Sequence, residues 1–390
     1  MSSDMPGDED AGTAGDSGAA GTSGASGANG GAAGAAGAAG IGSMWPPFEA
    51  TGQPITATAN RWTYIEFPDA LCRDGSPTGI SVNLGSAKKL MIFLEGGGEC
   101  VDAQTCLLNP NNRDHFLSTA QWTFAEQGTG VFDRNNDENP VGDWNFVYVH
   151  YCSGDRHGGA NPNGNVPGVG PQQFVGYLNM QKFLNRLVPT FSDATDVLLT
   201  GVSAGGFGAT RTTVLVQRAF ANVKLKLIND SGPPASTAIL AECMQERWRT
   251  LFNFQATFLA DCGAACPNPN DYWLDYGVFL AKVFSDRPSG LIISIEDLVE
   301  RAYFGVSRDN CTAPLDLLVP LVTGPELRAD LLGFRELVRP YQNFGTFYPA
   351  GEAHTFIQSE SFYTATAGGV RLVDWFRKIV NGESPGHAGP

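Results

Sequence analysis

The segment LLTGVSAGGFGAT, residues 198–210, sets one serine, Ser203, between glycines directly after an apolar run. DVLLTG (196–201) ahead of it has the character of a short buried strand, and GFGATRTTVLVQRAFA behind it has the periodicity of a helix. A chain that passes from strand to helix around one residue must turn sharply, and only small residues two before and two after, here Gly201 and Gly205, let the two elements pass. Gly201-Val202-Ser203-Ala204-Gly205 thus fits an elbow that holds Ser203 strained and exposed, beside the free N–H groups of a helix N-terminus. The competing reading is an ordinary serine in a glycine-rich bend, and the rest of the chain has to decide.

Apolar runs alternate with helical patterns along the chain, which predicts an α/β fold, a mostly parallel sheet flanked by helices. WTYIEF, GISVNL, KKLMIFLEGGG and NFVYVHYCSGD read as the early strands. QQFVGYLNMQKFLNRLV reads as a helix, VKLKLINDSGPP as a strand ending near Asp230, and GLIISIED (290–297) as the next. A helical pattern runs on to about Val338, GTFYPAGEAH leads to His354, and GVRLVDWFRKIVNG closes the chain as an amphipathic helix with a glycine stop. Residues 234–285, aromatic-rich and helical in pattern, read as an insertion over the sheet.

The ends are expected to stand outside this unit. Residues 1–43 hold almost no large apolar side chain, so they cannot offset the entropy of ordering and read as a disordered Gly/Ala/Ser linker. Residues 44–382 form the folded domain, and SPGHAGP lies in a flexible tail, 383–390. A net charge of −15 argues against nucleic-acid binding, which needs clustered Lys and Arg. No apolar run reaches the roughly 18 residues of a membrane span. Eight cysteines predict disulfides and an oxidising compartment, secreted or exposed at the cell envelope, with the low-complexity segment as a tether. MSSDMPGDEDAG has neither a basic n-region nor an apolar h-region, so the export signal is expected outside the sequence in view. Zinc competes for Cys262-x3-Cys266 and Cys100-x5-Cys106, but neither is joined by a second CxxC or a HxxxH. DRNNDENPVGD (133–143) starts like a calcium loop yet lacks its sixth-position glycine and twelfth-position glutamate.

A serine needs a base. In the order Ser, Asp, His only His354 and His387 follow Ser203; His354 sits after a strand, while nothing is expected to hold His387. For the acid both Asp230 and Asp297 end strands, and Asp297 is preferred because its strand immediately precedes the one leading to His354. Asp230 is then a structural or pocket-floor carboxylate that hydrogen-bonds loop N–H groups. The amides of Gly97 or Gly98, in FLEGGGEC, with that of Ala204 form the expected oxyanion hole. A phosphate-binding loop is disfavoured there because no GK[ST] follows. Trp144, His157 and aromatic residues of the insertion are candidate pocket lining.

FLEGGGEC, WNFVYVHYCSGDRHGG, LLTGVSAGGFGA, INDSGPP, IEDLVERAYFG and GEAHTF, in that order, resemble successive motifs of the pectin acetylesterase family, whose animal relatives include the Notum lipid deacylases. The resemblance implies an α/β-hydrolase fold, no metal or organic cofactor, and ester hydrolysis through Ser203, Asp297 and His354. It also implies local disulfides Cys100–Cys106 and Cys262–Cys266. One departure bears on substrate: where family members typically carry aromatic residues this chain has Gly98 and Glu99, which removes an aromatic wall and sets an acid at the pocket rim. The expectation is a monomeric serine esterase that deacetylates a carbohydrate or similar alcohol, as a small molecule or within a polysaccharide. The alternatives are a lipid deacylase with a longer-acyl preference and a non-catalytic binding module on the same scaffold.

Overall fold

The computed structural model describes residues 44–114, 125 and 127–390. The expected linker, 1–43, lies outside the described residues. The first strands are β1 (Thr63–Leu71), β2 (Pro77–Asn83), β3 (Lys89–Leu94) and β4 (Asn145–Val149). A hairpin, β5 (Asn161–Val166) and β6 (Gly170–Phe174), stands apart from the main sheet. Then come β7 (Asp196–Val202), β8 (Lys226–Asp230), β9 (Ser289–Ile292) and β10 (Phe344–Phe347), a two-residue ladder of β11 (Thr366–Ala367) and β12 (Val370–Arg371), and β13 (His387–Ala388). The main sheet runs β1-β2-β4-β3-β7-β8-β9-β10-β13. Only the β1–β2 and β2–β4 pairings are antiparallel.

The helices that place the site are α1 (Ala103–Leu108), α2 (Gly176–Thr190), α3 (Ala204–Ala219), α4 (Glu242–Leu251), α5 (Phe258–Cys262), α6 (Trp273–Val283), α7 (Leu298–Gly305), α8 (Gly324–Val338) and α9 (Leu372–Val380). Alternation along the strands gives each face its own cover. Met91, Phe93, Phe146, Tyr148, Leu198, Ile228, Ile292 and Phe347 pack with Trp375, Phe376 and Ile379 of α9 in one buried cluster. On the opposite face α3 lies against β7 and β8, where Asn229 Nδ2 donates to Thr210 Oγ1 at 2.8 Å.

The insertion between β8 and β9 is built from α4, α5 and α6, and it packs on α3. The Trp273 ring stacks on Phe207 at 5.3 Å, and the buried Arg211 guanidinium lies over Phe254 and Trp273. Four disulfides staple the domain: Cys72–Cys152, Cys100–Cys106, Cys243–Cys311 and Cys262–Cys266. Among the described residues no helix is long and apolar enough to cross a membrane.

The C-terminal segment corrects one expectation: residues 383–390 are not a free tail. His387 and Ala388 add β13 in parallel to β10, Thr346 Oγ1 and His387 Nδ1 lie 3.0 Å apart, and Arg335 donates to the carbonyls of Ala388, Gly389 and Pro390. A strand of two residues carries no periodicity to read, and its partner arginine lies on α8. The hairpin β5–β6 was equally unreadable, because NPNGNV and GPQQF hold mostly glycine, proline and polar residues.

Candidate active site

Ser203 sits between β7 and α3 with φ 55° and ψ −124°, a region that costs a non-glycine residue about 1–3 kcal/mol unless its surroundings impose it. They impose it here through close backbone approach. A Cβ on Gly205 would run into the Leu94 carbonyl, and one on Gly201 would meet the Gly205 and Leu94 carbonyls. The Ser203 N–H donates to Asp230 O at 2.8 Å, which fixes the elbow to the end of β8.

His354 lies in the loop beyond β10. Its Nδ1 donates to the Asp297 carboxylate at 2.9 Å (Oδ2) and 3.1 Å (Oδ1), and among the described residues its Nε2 is buried without a partner. Asp297 is fully buried and caps α7, its Oδ1 accepting from the N–H groups of Val299 at 2.9 Å and Glu300 at 3.0 Å. The first turn of α7 therefore fixes the orientation of the carboxyl that the imidazole faces.

Asp230 does a different task. Its Oδ2 accepts from the N–H groups of Phe356 at 2.7 Å and Ile357 at 2.9 Å, while Ser231 Oγ accepts from Thr355 N–H at 3.2 Å. With the Ser203 bond to its carbonyl, the Asp230-Ser231 dipeptide ties the elbow to the histidine loop. Both Ser231 (φ 60°) and Thr355 (φ 65°) are held in left-handed backbone to make this join. Burial raises the Asp230 carboxyl to about 6, against the opposing pull of these hydrogen bonds.

Burial disfavours the imidazolium of His354, but the Asp297 charge and hydrogen bond, reinforced by Glu300 and Asp230, outweigh it and raise the group to about 9. A general base must be neutral. With His354 as the base proposed below, the expected pH profile of kcat/KM rises through a limb centred above the ordinary imidazole value of about 6.5. A rising limb at or below that value would contradict the arrangement. By linkage the same group contributes stability that is complete below the unfolded value and is lost as pH rises through about 9.

The glycine-rich loop follows β3. Gly97 and Gly98 have φ of 144° and 70°, and their carbonyls accept from Asn112 Nδ2 at 3.0 Å and Tyr151 Oη at 2.9 Å. Neither N–H donates to a protein acceptor among the described residues. Ala204 opens α3, where an N–H has no intrahelical partner. A Cβ on Gly98 would run into Asn109 Oδ1 and the Tyr303 hydroxyl, which are themselves bonded at 2.7 Å. Asn109 and Tyr303 thus occupy the space that a side chain at Gly98 would take.

Three pocket expectations need correction. Glu99 is not at a rim: it is 1% exposed, and its Oε2 meets Arg156 Nε at 2.9 Å. Trp144 immediately precedes β4, beside the start of β3 and so at the opposite end of the sheet from Ser203, and Lys89 lies over its ring. His157 is buried behind the elbow helix, its Nε2 donating to the Glu95 carbonyl at 2.8 Å and its ring against Gly208. Burial lowers the His157 ring to about 4, so it stays neutral. Asn109, Arg156, Ser231, Glu300 and Tyr303 escaped the sequence reading, although Arg156 and Ser231 stand next to residues it named.

A nine-stranded, mostly parallel sheet with its serine elbow after β7 and a histidine loop after β10 defines an α/β hydrolase. The chain belongs to the pectinacetylesterase family, whose model matches residues 56–265. Among curated proteins it is 34% identical to the palmitoleoyl-protein carboxylesterase notum2 of Xenopus laevis over 170 residues, 41% of this chain and 34% of that one. It is 30% identical to the palmitoleoyl-protein carboxylesterase NOTUM of Mus musculus over 172 residues, 41% of this chain and 33% of that one. The matches span about a third of these relatives' length. Among solved structures the Wnt deacylase Notum from Drosophila superposes with a TM-score of 0.61 at 19% identity, over 84% of this chain and 95% of that one.

Proposed function

We propose that the protein is a serine carboxylic-ester hydrolase that removes short acyl groups, acetyl in the first place, from a carbohydrate or related alcohol. The observation that carries this is the His354–Asp297 pair, whose imidazole keeps Nε2 free while Ser203 is held on the elbow. Ser203 attacks the ester carbonyl as His354 takes its proton, and the N–H groups of Gly97, Gly98 and Ala204 receive the oxyanion. The alcohol leaves with the proton from His354, and water activated by the same imidazole releases the acid and regenerates Ser203. No step needs a metal or an organic cofactor.

A longer-acyl deacylase is the second reading, favoured by the printed activity of the palmitoleoyl-protein carboxylesterase relatives. Four disulfides support an exported protein working in an oxidising compartment. The test combines fluorophosphonate labelling of wild type and Ser203→Ala with hydrolysis of acetyl, butyryl and octanoyl p-nitrophenyl esters. Labelling that depends on Ser203, with acetyl turned over fastest, is expected. Fastest octanoyl turnover moves the assignment to the deacylase, and a folded protein that neither labels nor hydrolyses moves it to the binding module.

A further inference from the structure

Arg156, the partner of Glu99 in the glycine-rich loop, is buried against the elbow helix. Arg156 is held by four residues: Nε meets Glu99 at 2.9 Å, and the guanidinium lies 4.2 Å from the Phe207 ring centroid, 4.5 Å from Trp248 and 5.6 Å from Tyr303. These contacts fix the plane of the fork. Its Nη1 is nevertheless buried with no hydrogen-bond partner among the described residues.

Glu300, on the first turn of α7, is 2% exposed, and its Oε2 is likewise buried without a partner. Glu300 stands one turn before Tyr303, whose ring lies 5.6 Å from the Arg156 guanidinium, and its N–H donates to Asp297, the carboxylate that contacts His354. Glu300 therefore lies in the field of both the guanidinium and the catalytic imidazole, whose Nε2 is itself buried and unpaired. Phe207, one turn after Ser203, carries the Arg156 guanidinium, so the group is assembled beside the elbow.

Buried polar atoms in native proteins are nearly always paired, and a donor and an acceptor left open beside a reaction centre call for a polar occupant. A hydroxyl accepts one hydrogen bond and donates another, so it can satisfy Arg156 Nη1 and Glu300 Oε2 together. A hydrocarbon chain satisfies neither and would leave both desolvated. Glu300 can accept in either protonation form, since a neutral carboxylic acid keeps its carbonyl oxygen.

We infer that Arg156 and Glu300 form a recognition pair for a hydroxyl group carried by the substrate alcohol next to the scissile ester. This rests on the reading of Ser203 as nucleophile. It makes the enzyme selective for esters of polyhydroxylated alcohols over esters of simple alkanols.

The experiment compares kcat/KM for glycerol monoacetate and propyl acetate, the same three-carbon alcohol with and without free hydroxyls. Wild type is expected to favour glycerol monoacetate by about tenfold or more, because a site built to hydrogen-bond a hydroxyl rejects the analogue lacking it. Glu300→Leu and, independently, Arg156→Met are expected to bring that ratio to within about threefold of unity, mainly through KM for glycerol monoacetate. Glu300→Gln, which keeps an acceptor oxygen, should restore most of it. A wild-type ratio near one overturns the inference, and so does a ratio unchanged in Glu300→Leu, which would mean that a structural water fills the gap. Fluorophosphonate labelling of the same samples separates the two readings: a wild type that does not label at Ser203 fails as a serine hydrolase, whereas one that labels with a ratio near one fails only as a hydroxyl-selective enzyme.

Discussion

Ser203→Ala and His354→Ala are each expected to lower kcat for an acetyl ester by about a millionfold, and the double variant by no more than either alone. A nucleophile and its base act as one unit, so removing either leaves only the contributions of the oxyanion donors and binding, which are worth about 10³–10⁴ over water. The fold should survive both changes. The His354 side chain is 18% exposed, and its loop is held by backbone N–H bonds from Thr355, Phe356 and Ile357 to Ser231 and Asp230 rather than by the ring. Thermal melting within a few degrees of wild type, together with loss of steady-state turnover, is the expected pair of measurements. Turnover in folded His354→Ala above about a hundredth of wild type would remove His354 from the base position.

The elbow was legible in the sequence because its constraint is steric and local: Gly201 and Gly205 are small for a reason that involves only their own strand, helix and the Leu94 carbonyl. His354 could be singled out by elimination among few histidines, and it lies 2.9 Å from Asp297. What escaped was long-range. Glu99 in a glycine loop looks like an exposed acid until Arg156, from the loop after β4, folds beneath it and both are buried. Trp144 shares a motif with residues near the elbow, yet it stands one strand length away from the sheet edge that carries Ser203. The closing segment resembles a tail because the interactions that order it, from Thr346 and Arg335, are supplied by other elements. Glu300 was hidden for a similar reason. In EDLVER it reads as the solvated acidic first turn of a helix, whereas the fold buries it and thereby disfavours its ionised form.

The sequence offers two carboxylates as partners of His354 and favours Asp297, and the structure gives the two distinct bonds, so paired substitutions should separate them by what they damage. Asp297→Asn is expected to lower kcat by about 10⁴-fold, since an amide can present its N–H₂ to Nδ1 and favour the wrong tautomer of the imidazole while leaving its position intact. Without the carboxylate the rising limb of the pH profile should also move to lower pH, because the largest influence favouring the imidazolium is gone. Asp230→Asn should act on the other quantity. Its amide oxygen can still accept from Phe356 and Ile357, but the N–H₂ replaces the Oδ1 that accepts from Ser231 Oγ and leaves a buried donor to satisfy, so about 1–3 kcal/mol of stability is expected to go, with kcat reduced by less than about a hundredfold. Steady-state kinetics, pH profiles and urea unfolding on the two variants give the comparison directly. If Asp230→Asn showed the larger fall in kcat and the displaced limb, the catalytic acid would be Asp230, and the 2.9 Å contact between His354 and Asp297 would be a resting geometry that the reacting enzyme leaves.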